Sequence, residues 1–213
     1  VINISFWACF EQAGTSLTLF ADRNVDRFIF GWEMPASMTQ FFNPFFIILF
    51  GSIFSVMWVK LSKIGKNPSI PLKFCFGIVQ LALGFLLTQV GFQFVNEAYQ
   101  VPLLTLVFLY MLHTTGELFL SPIGLSMVTK LSPKSMAGTA MGAWFLSFAI
   151  ANYVGGKIAS LTGGHGGEEA ASAESGLLQY LDTFATIGYV LLAIAALIFI
   201  LNKPIQKLMH GVE

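Results

Sequence analysis

Charged side chains are scarce in this sequence of 213 residues. Only 10% of the residues are charged and 55% are hydrophobic, whereas about 25% of an average soluble domain is charged. Basic and acidic residues number 11 each, so the net charge is zero and there is no overall attraction to nucleic acid. The composition excludes an ordinary soluble domain and indicates an integral membrane protein in contact with lipid.

Cysteines and catalytic motifs are also few. Cys9 and Cys75 lie in or beside apolar runs, which is typical of free thiols and not of a disulfide framework. The sequence contains no nucleophile–base set, no metal-ligand cluster and no Gly-rich phosphate loop. His113 and Glu117 alone are too few ligands for a typical zinc site. We therefore expect neither an enzyme nor a resident cofactor or metal.

Long apolar runs, by contrast, fill most of the chain. A bilayer core requires about 20 mostly apolar residues per helix. Six segments meet this requirement, at approximately 1–20, 36–59, 71–91, 102–127, 136–160 and 180–201. The sequence therefore predicts one all-α bundle of six transmembrane helices.

Lysines concentrate in alternate connections between these segments. The second and fourth connections and the tail contain Lys60, Lys63, Lys66, Lys73, Lys130, Lys134, Lys203 and Lys207. The third and fifth connections carry acidic residues instead, and the first is mixed. Because positive loops lie on the cytoplasmic side, we expect both ends of the chain to be cytoplasmic. The fifth connection, 162–176, predicts a flexible external loop in which His165 is solvated.

A six-helix bundle with both ends inside has the size of one half of a major-facilitator transporter, which pairs two such halves. The start of the sequence agrees with that size, because Val1 already lies in an apolar run without an initiator methionine or a leader pattern. We therefore expect a piece of a longer polypeptide, with an N-terminal half outside this chain.

Two ionisable residues, His113 and Glu117, lie near the middle of the fourth predicted span. A charged group there costs about 2.5–3.5 kcal/mol on insertion scales, so a protein that keeps one usually uses it for a substrate, an ion or a proton. The two residues share a helix face, where His113 either contacts Glu117 or is a satisfied core histidine. Pro122, about one turn further on, predicts a kink.

Polar residues also mark the first two predicted spans. The first span contains Trp7, Glu11, Thr15 and Thr18 at helical spacing, which predicts one polar face. Glu11 is either a functional carboxylate or the structural partner of an arginine on another helix. In the second span, Asn43 and Pro44 predict a local helix break. Asn43 offers a donor and an acceptor either to a peptide-like ligand or to a neighbouring helix.

The fifth predicted span combines small residues with an aromatic one. Gly138 and Gly142 are spaced for close backbone approach between helices. Trp144 follows and is either the wall of a pocket or a packing residue.

Two stretches together carry a family resemblance. They are FWACFEQAGTSLTLFAD at 6–22 and GELFLSPIGLSMVTKLSPKSMAGTAMGAWFLS at 116–147, and MTQFFNPFFIIL at 38–49 agrees with them. The chain resembles the proton-dependent oligopeptide transporter (POT or PTR) family of the major facilitator superfamily, over family helices seven to twelve. The third connection is short and lacks the large external domain of animal members, so the resemblance is to bacterial members.

The resemblance implies a role for several residues. Glu117 would bind the amino end of a peptide, with Asn43 beside it. Glu11 would couple protons through an ion pair with an arginine of the N-terminal half, and Glu117 would share in that coupling. Trp7 and Trp144 would line side-chain pockets. Ser121 would add to the substrate site, and the resemblance places Pro122, with Pro44 in the eighth family helix, at bending positions.

The implied function is that of half a symporter. The resemblance predicts import of di- and tripeptides by alternating access in the bacterial inner membrane, with protons as the coupling ion. The partners would be peptide substrates, the N-terminal half and membrane lipid, with no nucleic acid. Two alternatives stay open. One is a carrier of another small solute such as nitrate, and the other is a membrane scaffold subunit that transports nothing.

Overall fold

The computed structural model describes residues 2–161 and 172–209, and within them the chain is mostly helical. The α-helices are α1 (Ile2–Phe10), α2 (Ser16–Asn24), α3 (Phe42–Lys63), α4 (Ile70–Phe92), α5 (Leu103–Leu131), α6 (Ala137–Leu161) and α7 (Ala173–Leu208). Short 3-10 segments cover Glu11–Gly14, Ala36–Phe41 and Lys134–Met136. Two-residue strands are β1 (Val25–Asp26), β2 (Phe28–Ile29), β3 (Trp32–Glu33) and β4 (Val101–Pro102). Most of the predicted external loop, with His165, lies outside the described residues.

Four helical stretches among the described residues are long and apolar enough to cross a membrane. They are Ala36–Lys63, Ile70–Phe92, Leu103–Leu131 and Ala173–Leu208. The first predicted span does not qualify because it is divided into two short helices, α1 and α2, of nine residues each. The helix α6 is long enough, but glycine, serine and asparagine interrupt its apolar sequence. The structure thus supports a helical membrane protein with four candidate membrane helices.

The break between α1 and α2 corrects the prediction of one continuous first helix. The chain tightens into a 3-10 turn at Glu11–Gly14 and then bends at Thr15, where φ is −127° and ψ is −99°. Trp7 and Thr18 therefore do not share one helical face. The side chain of Gln12 stabilises the break, because its amide donates to the Ala8 carbonyl at 2.9 Å and to the Gly155 carbonyl at 3.0 Å. These carbonyls are buried and need a donor.

The helix α4 forms the centre of the bundle and packs against α5 on one side and α7 on the other. Close approach to α5 depends on glycine, since a Cβ added at Gly77 would lie 2.8 Å from the Gly116 carbonyl oxygen. The helix α1 packs against α6, and α3 packs against α5. Within the described chain α3 is largely exposed, with Phe46 as its buried residue.

Side-chain hydrogen bonds identify which connections lie at the same end of the bundle. At one end, Asn24 Nδ2 donates to the Tyr99 carbonyl at 3.3 Å and to the Ala173 carbonyl at 3.4 Å. The parallel pairing of β1 with β4 belongs to this end, which we name the Asn24 end. At the other end, Ser69 Oγ donates to Asn202 Oδ1 at 2.7 Å. This second end, named the Ser69 end, therefore brings together the second connection and the last part of α7.

The first connection folds into a hairpin of β2 and β3 at the Asn24 end. Arg27 is buried beside it and forms ion pairs with Glu33 at 2.9 Å and with Asp22 at 3.4 Å. Its guanidinium also donates to the carbonyls of Ala21 and Met34. The positive charge of Arg27 is thus compensated locally, so Arg27 is weak evidence for a cytoplasmic position of the first connection.

Candidate functional site

Glu117 and Asn43 meet where α5 passes the start of α3. Asn43 Nδ2 donates to Glu117 Oε2 at 3.0 Å and to Thr114 Oγ1 at 3.1 Å, and both Glu117 and Asn43 are half-buried. Pro44 stands in the first turn of α3, where backbone N–H groups have no intrahelical partner. The break in the second predicted span therefore comes before Pro44, at the 3-10 turn Ala36–Phe41. This start places the Asn43 amide against the carboxylate.

Glu11, the other carboxylate of the predicted site, lies in the 3-10 turn between α1 and α2 and is half-buried. It is close enough to Glu117 for the two carboxylates to repel each other. Among residues 2–161 and 172–209, the ion pairs formed are those of Arg27, so neither Glu11 nor Glu117 has a basic partner there. An acceptor pair of this kind suits a cation or a proton.

The two tryptophans predicted for the site lie in one aromatic cluster, outside the lining of the cavity beside Asn43. Trp7 of α1 and Trp144 of α6 both contact Phe148, with ring centroids 4.8 Å and 6.4 Å apart. A Cβ at Gly124 of α5 would lie 2.6 Å from the Trp144 ring, so the indole fills the space that this glycine leaves. The indole nitrogens of Trp7 and Trp144 are buried without a hydrogen-bond partner in the described chain.

The Ser121–Pro122 pair lies about one turn beyond Glu117 on α5. Ser121 is half-buried, and Pro122 is exposed. The helix α5 continues without interruption from Leu103 to Leu131. Pro122 therefore removes one backbone donor without ending the helix.

His113 is a core histidine and makes no hydrogen bond to Glu117. It is buried, and neither ring nitrogen forms a hydrogen bond within the described chain. The Leu81 carbonyl lies near the ring. Its ring packs against Phe85 with centroids 4.7 Å apart. A Cβ at Gly84 would lie 2.4 Å from its Cδ2, so the imidazole occupies space that only a glycine on α4 leaves.

A cavity of about 100 Å³ lies beside the Asn43–Glu117 pair. It is lined by Phe10, Ala13, Gln40, Asn43, Tyr110 and His113. Two of these side chains are already engaged, because Gln40 donates to Thr18 Oγ1 at 3.0 Å and the Tyr110 hydroxyl donates to the Ala13 carbonyl at 3.5 Å. In the part of the chain that the structure describes, no group of three or more His, Cys, Asp or Glu residues could hold a metal ion.

Sequence reasoning missed three features of this region. Thr114 shares the Asn43 amide with Glu117 and donates its own hydroxyl to the Tyr110 carbonyl at 2.7 Å. The long-range bond from Gln12 to α6 fixes the 3-10 turn that carries Glu11. The third feature is a row of glycines on α4 that faces α5. A heptad spacing of Gly77, Gly84 and Gly91 was the available signal for that row.

Comparison with known proteins gives a consistent set of relatives. The sequence model of the POT family matches residues 1–172. The peptide transporter YePEPT of Yersinia enterocolitica is 38% identical over 98% of this chain and 39% of its own length. The dipeptide and tripeptide permease A of Edwardsiella piscicida is 35% identical over 98% of this chain and 42% of its own length. An uncharacterised transporter of Bacillus subtilis, YclF, is 33% identical over the same share of this chain.

Solved structures show the same relationship. A crystal structure of the peptide transporter POT in complex with sulfate superposes with a TM-score of 0.83 and 32% identity. It is matched over 99% of this chain and 40% of its own chain. A complex of a mutant of that transporter with alafosfalin gives a TM-score of 0.84 and 31% identity.

The chain spans about two fifths of the length of the curated relatives it matches. Members of the matched family are transporters and not enzymes. With a family match over residues 1–172 and relatives above 30% identity across 98% of the chain, the resemblance in the sequence is confirmed, and this chain belongs to the POT family.

Proposed function

We propose that this chain is the C-terminal half of a proton-coupled symporter that imports di- and tripeptides by alternating access. The hydrogen bond between Asn43 and Glu117 carries the proposal, because it presents a half-buried carboxylate with no basic partner among the described residues. A peptide's ammonium group would find its opposite charge there. The curated relatives that are named as peptide transporters support this choice of cargo.

Six transmembrane spans are part of the proposal. The short helices α1 and α2 would together form one broken span, and α6 would be another. Both would lie beside the four candidate membrane helices. Discontinuous helices are common at the substrate and ion sites of transporters, because the freed backbone groups line a cavity. The break here contains Glu11, the residue that we assign to proton coupling.

The orientation follows from charge. The Ser69 end contains the lysines of the second connection and of the tail, so we propose that it faces the cytoplasm of a bacterial cell. The Asn24 end would then face the outside of the inner membrane. The chain would cross the membrane six times and end in the cytoplasm.

Protons would provide the driving force for uptake. A protonated Glu11 would release an arginine of the N-terminal half, and the loss of that ion pair would favour closure around the peptide. One charge moved through 100 mV is worth about 2.3 kcal/mol, and one pH unit is worth about 1.4 kcal/mol. Together these terms support roughly 500-fold accumulation of a neutral peptide per proton.

The test uses the complete transporter that contains this chain, reconstituted in proteoliposomes. Uptake of labelled dialanine is measured with and without a pH gradient for wild type and Glu117→Gln. We expect gradient-driven uptake in the wild type and its loss in the variant, because the neutral amide cannot pair with the peptide ammonium. Unchanged uptake by Glu117→Gln would overturn the site assignment and leave the family membership intact.

The same assay separates the two alternatives. A carrier of nitrate or another solute without an amine would ignore dialanine and move its own cargo. A scaffold subunit would move neither, and Glu117→Gln would change only its stability. Peptide cargo is favoured over nitrate by the charge of the site, since an anion would approach two carboxylates that already repel each other.

A further inference from the structure

The cavity beside Asn43 contains an unused polar group. Both ring nitrogens of His113 are buried without a hydrogen-bond partner in the described chain, and His113 lines the cavity. A buried polar atom left without a partner destabilises the fold, and in native structures such atoms are usually paired with protein or with ordered water. A small polar ligand in the cavity would remove that cost.

The size and lining of the cavity select the ligand. A volume of about 100 Å³ has room for several water molecules. The lining includes Asn43, Tyr110 and His113, which together offer donors and acceptors, and Phe10 supplies an apolar wall. The small volume excludes larger ligands.

The position of the cavity suits a role for water in proton transfer. The helix α5 begins beside β4 at the Asn24 end, so Tyr110, His113 and Glu117 follow one another away from that end. His113 and Glu117 are one helical turn apart. A proton that arrives from the Asn24 end therefore meets the cavity and His113 before it meets Glu117.

Few charged groups surround His113 to compete for that proton. From α4 it is packed by Gly84 and Phe85, and from α1 by Phe10, all uncharged. Gln40 of the 3-10 segment Ala36–Phe41 and Asn43 of α3 also line the cavity, and both side chains are uncharged amides. The titratable groups are Tyr110 and Glu117 on its own helix, together with Glu11, which follows Phe10.

We propose that this cavity is a water-filled chamber in which His113 relays protons from the Asn24 end to Glu117. A proton that enters from the Asn24 end passes through the chamber water to one ring nitrogen, the other nitrogen releases its proton through water to the Glu117 carboxylate, and rotation of the ring restores the starting arrangement of the neutral imidazole. One proton enters and one leaves, so nothing else is consumed. The relay rests on the proposed function, since it supplies the proton that the coupling uses.

The first test separates the relay from peptide binding. In proteoliposomes of the complete transporter, His113→Leu is compared with wild type in two assays, gradient-driven uptake of labelled dialanine and exchange of labelled for unlabelled dialanine without a gradient. We expect His113→Leu to lose gradient-driven uptake and to retain exchange, because exchange needs no net proton transfer. His113→Gln, which bonds water but cannot relay a proton through a ring, is expected to behave like His113→Leu.

The outcomes distinguish the two proposals. A wild-type protein without any gradient effect contradicts the proposed proton coupling. A wild type that couples while His113→Leu couples equally well overturns the relay and leaves the coupling intact. Full gradient-driven uptake by His113→Gln also overturns the relay, since hydrogen bonding to water would then be sufficient. Loss of exchange in His113→Leu, with a normal unfolding temperature, would assign His113 to peptide binding instead.

The second test detects the water directly. Hydroxyl-radical footprinting modifies side chains next to bound water, so Tyr110 should be labelled even though only 1% of its surface is exposed, whereas the buried Phe184 should not. Ala13→Leu fills the chamber from the 3-10 turn and should abolish both the Tyr110 label and gradient-driven uptake. Ala193→Leu, on an exposed face of α7, is the matched control. An unlabelled Tyr110 in the wild type would show a dry cavity and overturn the proposal.

Discussion

At the scale of single residues, one amide organises the candidate site. Asn43 Nδ2 is shared between Glu117 at 3.0 Å and Thr114 at 3.1 Å. A hydrogen bond to a charged group contributes about 1.5–3 kcal/mol, against about 0.5–1.5 kcal/mol for a bond between neutral groups. The Asn43–Glu117 bond should therefore contribute more than the Asn43–Thr114 bond. It also fixes where the carboxylate can meet a ligand.

Two variants test that ranking. Asn43→Ala removes both bonds, and we expect the uptake rate of labelled dialanine at low concentration to fall about 10- to 150-fold, the range that 1.5–3 kcal/mol represents. Thr114→Val removes the neutral bond to Asn43 together with the bond that the hydroxyl donates to the Tyr110 carbonyl. It keeps the shape of the side chain and leaves the bond between Asn43 and Glu117, so its uptake should fall by less than tenfold. Equal losses in the two variants would contradict the ranking, and equal amounts of folded protein are the required control.

At the scale of helices, close packing of α4 on α5 holds Glu117 in place. Gly77 and Gly116 face each other, and a Cβ at either would lie within 2.8 Å of the other's carbonyl oxygen. Side chains there would force the two helices apart. Since Gly116 is next to Glu117 in sequence, the crossing point also sets the position of the carboxylate.

Gly77→Ala should destabilise the protein by about 1–3 kcal/mol, the usual cost of overpacking. Thermal unfolding in detergent measures the change. Gly138→Ala on α6 is the matched control, because a Cβ there has no neighbour within 4 Å in the described chain, so it reports only the backbone effect of replacing glycine in a helix. A Gly77→Ala protein as stable as the control would refute the close crossing.

The same helices show what the sequence predicts and what it does not. Long apolar runs predict α3, α4, α5 and α7, since each run can satisfy its backbone within one helix. The break at Glu11–Gly14 depends on Gln12 meeting the carbonyl of Gly155, 143 positions away, and no local pattern contains that contact. The spacing of Gly138 and Gly142 predicted a close contact that residues 2–161 and 172–209 do not show.

The candidate site also contains features that the sequence predicts and features that it does not. The motifs that carry the resemblance contain Glu11, Asn43 and Glu117, so these residues could be selected without coordinates. The sequence could not predict that both ring nitrogens of His113 lack a hydrogen-bond partner in the described chain. That property depends on the neighbours of His113 on α4 and on the cavity beside it. Of the two interpretations left open for His113, the described structure shows no hydrogen bond to Glu117 although the two residues share a helix.

At the scale of the whole molecule, the number and direction of the spans decide which side each site faces. Among the described residues, four helical stretches are long and apolar enough to cross a membrane, and neither α6 nor the α1–α2 pair is one of them. Hydrogen bonding puts the end of α7 beside the start of α4. If α6 crosses the membrane, residues just before it and residues at the end of α7 lie on the same side.

Single cysteines report those sides in intact bacteria. The exposed positions are Ala98→Cys at the Asn24 end, and Ser135→Cys and Gln206→Cys at the Ser69 end. The native Cys9 and Cys75 are only 8% and 6% exposed, so their background should be low. We expect an impermeant maleimide to label Ala98→Cys in whole cells and the other two only after the membrane is opened.

The pattern of labels separates the alternatives. The reverse pattern would keep the six spans and invert the proposed orientation. Labels on opposite sides for Ser135→Cys and Gln206→Cys would mean that only one of α6 and α7 crosses the membrane, because two crossings return the chain to the side from which it came. If α6 is the helix that does not cross, the aromatic cluster of Trp7, Trp144 and Phe148 would not lie within the membrane as proposed, since Trp144 and Phe148 belong to α6.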